Sequence, residues 1–115
     1  MLVIGYIGPK LPGDLRKTWN ALFSERKIDA FFDFYRTRKD DLPLRLSEMF
    51  LLERRGYIVD PQFSTEIIAL LDRLDCSAQT SGKVDTVVNE GGVLIGYCID
   101  SDDSSIAERM QWWFS

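Results

Sequence analysis

Apolar positions along the chain fall into a regular succession of runs and stripes. Leu2 to Ile7 is a continuous apolar run, the pattern of a strand buried on both faces. Gly8-Pro9 and Pro12-Gly13 punctuate the loop after it. From about Asp14 to Arg26, residues Leu15, Thr18, Trp19, Leu22 and Phe23 recur at helical spacing. "IDAFFDFYR" is rich in aromatics and reads as a second strand. "LPLRLSEMFLLERRG" reads as a second helix, with Leu46, Met49, Phe50 and Glu53 on one face and Gly56 as its stop. "YIVD" is a short third strand, and "STEIIALLDRLD" a third helix with Ile67, Ile68, Leu71 and Leu74 on one side. "CSAQTSG" is a short turn or helix. "VDTVVNEGGVLIGYCID" is a hairpin that turns at Asn89-Glu90-Gly91-Gly92. "SSIAERMQWWF" closes the chain as a helix, with Ser104 or an upstream Asp as N-cap. Strands and helices alternate up to the hairpin, so the expected fold is α/β. It is a three-layer α/β/α sandwich with a mixed, mostly parallel sheet joined by right-handed crossovers, and a C-terminal hairpin followed by a helix.

Composition narrows what such a fold can do. With 115 residues the chain is one domain, 1–115, long enough to bury a core without staples. It carries 18 acidic against 14 basic residues, a net charge of −4. Nucleic acid and anionic membrane surfaces select basic faces, so neither is an expected partner. There is no histidine, which excludes a His-based triad and removes the commonest transition-metal ligand. Cys76 and Cys98 have no C-x-x-C spacing and read as two buried thiols in a reducing compartment. Cys98 sits in an acidic stretch, where nothing lowers a thiol pKa. No apolar run approaches the ~20 residues of a membrane span, and no basic segment precedes the first strand. The expected location is the cytoplasm.

The stretch "GYIVDPQFSTEIIALLDRLDCSAQTSGKVDTVVNEGGVLIGYCID", Gly56 to Asp100, resembles the N-terminal, substrate-binding domain of the shikimate dehydrogenase family. That family carries G-[FY]-N-V-T-[VI]-P-x-K, a helix, G-A-V-N-T, and a hairpin ending in G-x-N-T-D; the stretch runs along this order without a gap. The opening "GYIGPKLPGDLRKTWNALFSERKIDAFFDFY" resembles the family's first strand, its Ser-x-Ser loop and the following helix more loosely.

The departures bear on function. The resemblance implies a lysine–aspartate catalytic pair, and hydroxyl and amide groups that hold shikimate. The lysine position is Ser64, while the aspartate remains as Asp100. The strand asparagine falls on Ile58 and the threonine on Asp60; the V-N-T asparagine falls on Asp85, followed by Thr86. The asparagine and threonine of N-T-D fall on Cys98 and Ile99, and the Ser-x-Ser pair on Gly13 and Leu15. Asn20 matches a common family helix residue and otherwise reads as an exposed amide. A lone carboxylate with a pKa of ~4 is a poor acid or base at neutral pH. The family's hydride acceptor is a nicotinamide held by a separate Rossmann domain, and these residues contain no G-x-G-x-x-G. NADP therefore enters only if a partner domain supplies its site.

Two signals remain. Asp14, Asp60, Asp85 and Asp100 border the old substrate cleft in the family geometry. They form either a solvated, abandoned pocket or an electronegative site for an amine or a divalent metal, with Asp60, Asp85 and Asp100 as ligands. The terminal Trp112, Trp113 and Phe114 either fold back over the sheet or form a homodimer or partner surface. The leading expectation is a catalytically inactive substrate-binding domain that acts in ligand binding or protein interaction. The alternative is a component or fragment of a shikimate/quinate dehydrogenase-like oxidoreductase that needs a separate nucleotide-binding partner.

Overall fold

A computed structural model describes residues 1–99 and 105–114. Strands β1 (Leu2–Gly8), β2 (Ala30–Arg36), β3 (Gly56–Val59), β4 (Arg73–Leu74), β5 (Thr86–Glu90) and β6 (Val93–Tyr97) form one sheet in the order β2-β1-β3-β5-β6-β4. β1 lies parallel to β2 and β3, and β4 parallel to β6. β5 runs antiparallel to both β3 and β6. Helices α1 (Leu15–Glu25), α2 (Leu42–Leu51), α3 (Cys76–Ser81) and α4 (Ser105–Phe114) flank it.

The period of two along each strand sends alternate residues into two cores. Ile7, Tyr57, Val59 and Val87 meet Leu42, Leu46 and Met49 of α2 and Ala78 of α3 on one face. Ile4, Tyr6, Phe32, Ile58 and Val88 meet Trp19 and Phe23 of α1 and Trp113 of α4 on the other. This is the three-layer sandwich expected from the element order. The hairpin turns at Gly91 and Gly92, both with positive φ, the backbone that a two-residue turn between twisted strands requires.

Several local expectations are corrected. No α-helix forms over "STEIIALLDRLD". Two 3₁₀ turns, Pro61–Phe63 and Glu66–Leu70, are followed by β4. The chain is drawn to the sheet edge instead: Asp72 N–H donates to Leu94 O (2.9 Å), Asp72 Oδ2 accepts from Leu94 N–H (2.8 Å), and Asp75 N–H donates to Gly96 O (2.8 Å). Gly56 does not stop α2. The helix ends at Leu51, Glu53 turns the chain with φ 55°, and Gly56 opens β3. A Cβ at Gly56 would collide with the Trp113 indole and stand 2.6 Å from Val87 O. The buried face of α2 is Leu42, Leu46 and Met49, whereas Phe50 and Glu53 point outward. Asn20 is no free amide: its side chain accepts from Phe32 N–H (2.8 Å) and donates to Phe32 O (2.9 Å), occupying the open edge of β2. Cys98 is buried, but Cys76 is exposed at the start of α3. Ser104, the suggested cap of the last helix, lies outside the described residues.

The aromatic end folds back. Trp113 is fully buried against Trp19 (ring centroids 5.4 Å apart), and its Nε1–H donates to Val87 O (3.2 Å). Arg55 Nε–H donates to Trp113 O (2.6 Å) and pins α4 to the start of β3. Trp112 stacks on Tyr97 at 4.0 Å, and Phe114 meets Phe23 edge-on at 5.7 Å. Among the described residues, no helix is long and apolar enough to cross a membrane.

Candidate functional site

The C-terminal ends of β1 and β3 and the start of β5 meet at one end of the sheet, because β1 and β3 are parallel and β5 returns against β3. Val59 N–H donates to Asp85 O (2.8 Å) and Asp60 N–H to Ile7 O (2.9 Å), which carries the pairing to this end. The polar side chains gathered there are Tyr6, Asp60, Asp85 and Thr86, with Arg109 reaching in from α4.

Asp60 is buried and fully engaged. Its Oδ2 accepts from the Tyr6 hydroxyl at 2.7 Å, and its Oδ1 accepts from Gln62 N–H at 2.9 Å, capping the 3₁₀ turn. Gly8 makes room for the pair: a Cβ there would stand 2.7 Å from Asp60 Cβ and 2.8 Å from Tyr6 Cε1. The Tyr6 phenol is pushed well above its ordinary value, first by burial and then by the Asp60 hydrogen bond and charge, against a smaller opposing pull from Arg109.

Asp85 and Thr86 form the second half. Thr86 is fully buried; its hydroxyl donates to Asp85 Oδ1 (2.9 Å) and accepts from Arg109 Nε–H (2.7 Å). Asp85 accepts from Ile99 N–H on both oxygens (3.1 and 3.0 Å), and its Oδ1 lies 3.6 Å from Arg109 Nη2. Ser64, at the lysine position, donates its hydroxyl to Pro61 O (2.9 Å), while its carbonyl accepts from Val84 N–H (2.9 Å).

Of the residues proposed from sequence, Asp60, Ser64, Asp85 and Thr86 therefore lie on the β3 and β5 segments that build this end. Asp14 is exposed ahead of α1 with no cap hydrogen bond, and it shares no hydrogen bond or ion pair with the others among the described residues. Asp100 lies outside the described residues. Among the described residues, no three carboxylates or thiols are placed to hold a metal ion together. Tyr6 and Arg109 were not singled out from sequence. Tyr6 is hidden inside an apolar run, and the one available signal was the glycine two residues on. Arg109 is the only cation of "SSIAERMQWWF", a lone charge on an aromatic helix.

This arrangement can donate and accept hydrogen bonds, but its cation is a guanidinium. Arginine holds its proton at any working pH and is no acid or base.

No protein-family model matches the chain. Curated relatives do match. A shikimate dehydrogenase (NADP(+)) of Geobacter metallireducens is 32% identical over 111 residues, 94% of this chain and 39% of that protein. One from Pyrococcus furiosus is 36% identical over 81 residues, 70% of this chain and 30% of that protein. The crystal structure of shikimate dehydrogenase from Aquifex aeolicus superposes with a TM-score of 0.78 at 29% identity, covering 84% of this chain and 36% of that one. The chain thus spans about a third of the length of the curated relatives it matches.

Proposed function

We propose that the chain, which is similar to part of the shikimate dehydrogenases, corresponds to their N-terminal, substrate-binding portion and works by binding, without proton transfer of its own. The observation that carries this reading is Ser64. At the position where the family motif has lysine stands a hydroxyl donated to Pro61 O, on a turn closed by Asp60. Asp60 in turn is occupied by Tyr6. The nearby cation, Arg109, is joined to Thr86 and Asp85 and cannot exchange a proton at neutral pH. The hydroxyls that would hold a carboxylate are absent at Gly13 and Leu15.

The charge at this end favours a neutral or cationic ligand, or a protein partner. Among the described residues, Asp60 and Asp85 stand against Arg109, which leaves an excess of negative charge. Trp112 and Phe114, half-buried on α4, are the aromatic positions still able to meet a partner; Trp113 is inside the core. A second reading, a dehydrogenase component that borrows NADP from a separate nucleotide-binding partner, draws support from the names of the matched relatives, which carry NADP(+).

An amide chemical-shift titration separates the two. Shikimate should produce no saturable shifts at Tyr6, Gln62 or Thr86. Saturable shifts there would overturn the preference for a neutral or cationic ligand and favour the dehydrogenase component. A parallel manganese series that broadens Asp60 and Asp85 together would identify the ligand as a cation.

A further inference from the structure

The opposite end of the sheet carries a surface cavity of about 540 Å³. Its walls are Leu2 at the start of β1, Phe50 and Leu51 at the end of α2, and the Gly91–Gly92 hairpin turn. β1 is seven residues long. Leu2 and Tyr6 stand four positions apart on it, so at ~3.3 Å per residue roughly 13 Å of strand separates this cavity from the Tyr6–Asp60 pair. The volume lies in the range of small-molecule sites, ~300–1,000 Å³.

The lining is apolar where a core would be, yet it is exposed. Leu2 is 40% exposed, Phe50 45% and Leu51 78%. Phe50 leans over the hairpin, its Cζ 3.9 Å from the site of a Cβ on Gly92.

Charge then narrows the ligand. Arg54 and Arg55 line the cavity against one carboxylate, Glu53. Arg55 is engaged by Trp113 O. Arg54 is half-buried, with its guanidinium 5.9 Å from the Tyr35 ring centroid and Nη1 donating to Leu52 O at 3.3 Å. Its buried Nε lies beside the Tyr35 phenol, a neutral group, and Arg54 enters no ion pair among the described residues. A guanidinium partly removed from water and lacking a counter-charge is stabilised by an anion.

We propose that this cavity is a second ligand site, for an amphipathic anion: a carboxylate carried on an aryl or alkyl group. The apolar part would rest on Leu2, Phe50 and Leu51, and the carboxylate would face Arg54. A carboxylate and an alcohol of the same skeleton differ in the charge that Arg54 would read.

The test is an amide-shift titration of the isotope-labelled chain with phenylbutyrate and, separately, with phenylbutanol. Phenylbutyrate should give saturable shifts at Leu2, Leu51, Gly91 and Gly92, and the alcohol should bind at least about tenfold more weakly, the scale of one charge-assisted contact. Arg54→Met keeps the methylenes and should abolish the difference between the two probes. Leu51→Glu, at an exposed position, should abolish binding of phenylbutyrate without touching the core. Equal binding of both probes, insensitive to Arg54→Met, would overturn the proposal and leave only an apolar face. Absence of saturable shifts would overturn it too. So would shifts at these amides that depend on protein concentration alone, which would assign the face to a second copy of the chain.

Discussion

The Tyr6–Asp60 contact offers a quantitative test of whether the acidic end of the sheet is built for structure or left open for ligand. Tyr6 is 3% and Asp60 9% exposed, and their 2.7 Å hydrogen bond joins a neutral donor to a carboxylate. Hydrogen bonds to charged groups contribute about 1.5–3 kcal/mol to stability, and a buried acceptor left without its donor costs a similar amount. Tyr6→Phe removes the donor while keeping the ring in place. Asp60→Ala removes the acceptor together with the cap on Gln62, worth about 1 kcal/mol on its own. A double-mutant cycle cancels the cap and isolates the pair. The assay is urea unfolding followed by the fluorescence of Trp19 and Trp113, both fully buried. The expected coupling is about 1.5–3 kcal/mol, and Tyr6→Phe alone should lower Tm by roughly 6–12 °C for a chain of this size. A coupling below about 0.5 kcal/mol would refute the reasoning: it would mean that Asp60 is satisfied by water and available to a ligand.

Arg109→Met should destabilise the fold by about 1.5–3 kcal/mol, because Thr86 and Asp85 lose a charged partner; Arg109→Lys should not restore it, since one ammonium cannot replace the two-pronged contact at 2.7 and 3.6 Å, and unfolding midpoints check both. Gly56→Ala forces a methyl into the Trp113 indole and should cost about 1–3 kcal/mol, read as a red shift of tryptophan emission as the ring is expelled. Asn20→Ala leaves Phe32 N–H and O without partners at the edge of β2 and should cost about 1–3 kcal/mol in the same unfolding assay. All four tyrosines have pKa values raised chiefly by burial, so the folded chain keeps phenolic protons that the unfolded chain releases near pH ~10. The tyrosine contribution to stability should therefore be flat below that pH and fall above it, by about 1.4 kcal/mol per pH unit for each of Tyr6 and Tyr57, with tyrosinate absorbance appearing together with unfolding. Tyrosinate that appears near pH ~10 in a chain still folded would contradict the burial.

The layered fold was readable because the strong signals are local. Leu2–Ile7, the Trp19/Phe23 stripe and the Gly91–Gly92 turn each specify their element through spacing or φ alone. The segment after β3 was misread for a physical reason. Ile67, Ile68, Leu71 and Leu74 do fall at helical spacing, but Asp72 and Asp75 gain backbone partners on β6 that a helix would forgo. Such long-range pairing leaves no mark on a local period. The candidate site shows the same limit. Asp60, Ser64, Asp85 and Thr86 could be named because a family motif runs through them. Tyr6 and Arg109 come from 54 and 23 positions away from the groups they bind, and only the folded sheet brings them there. Their arrival alters the chemistry: carboxylates that read as a bare acidic cleft are tied to a phenol, a guanidinium and backbone N–H groups.

The most direct test of a binding role without proton transfer is to mix this chain with the separately produced nucleotide-binding domain of a shikimate dehydrogenase, add NADP and shikimate, and follow NADPH absorbance. With Ser64 at the lysine position, no shikimate-dependent NADPH should form above the level of the nucleotide-binding domain alone. NADPH that accumulates with this chain present, and is lost on Ser64→Ala or Asp60→Asn, would contradict the proposal and make the chain a working half of a dehydrogenase.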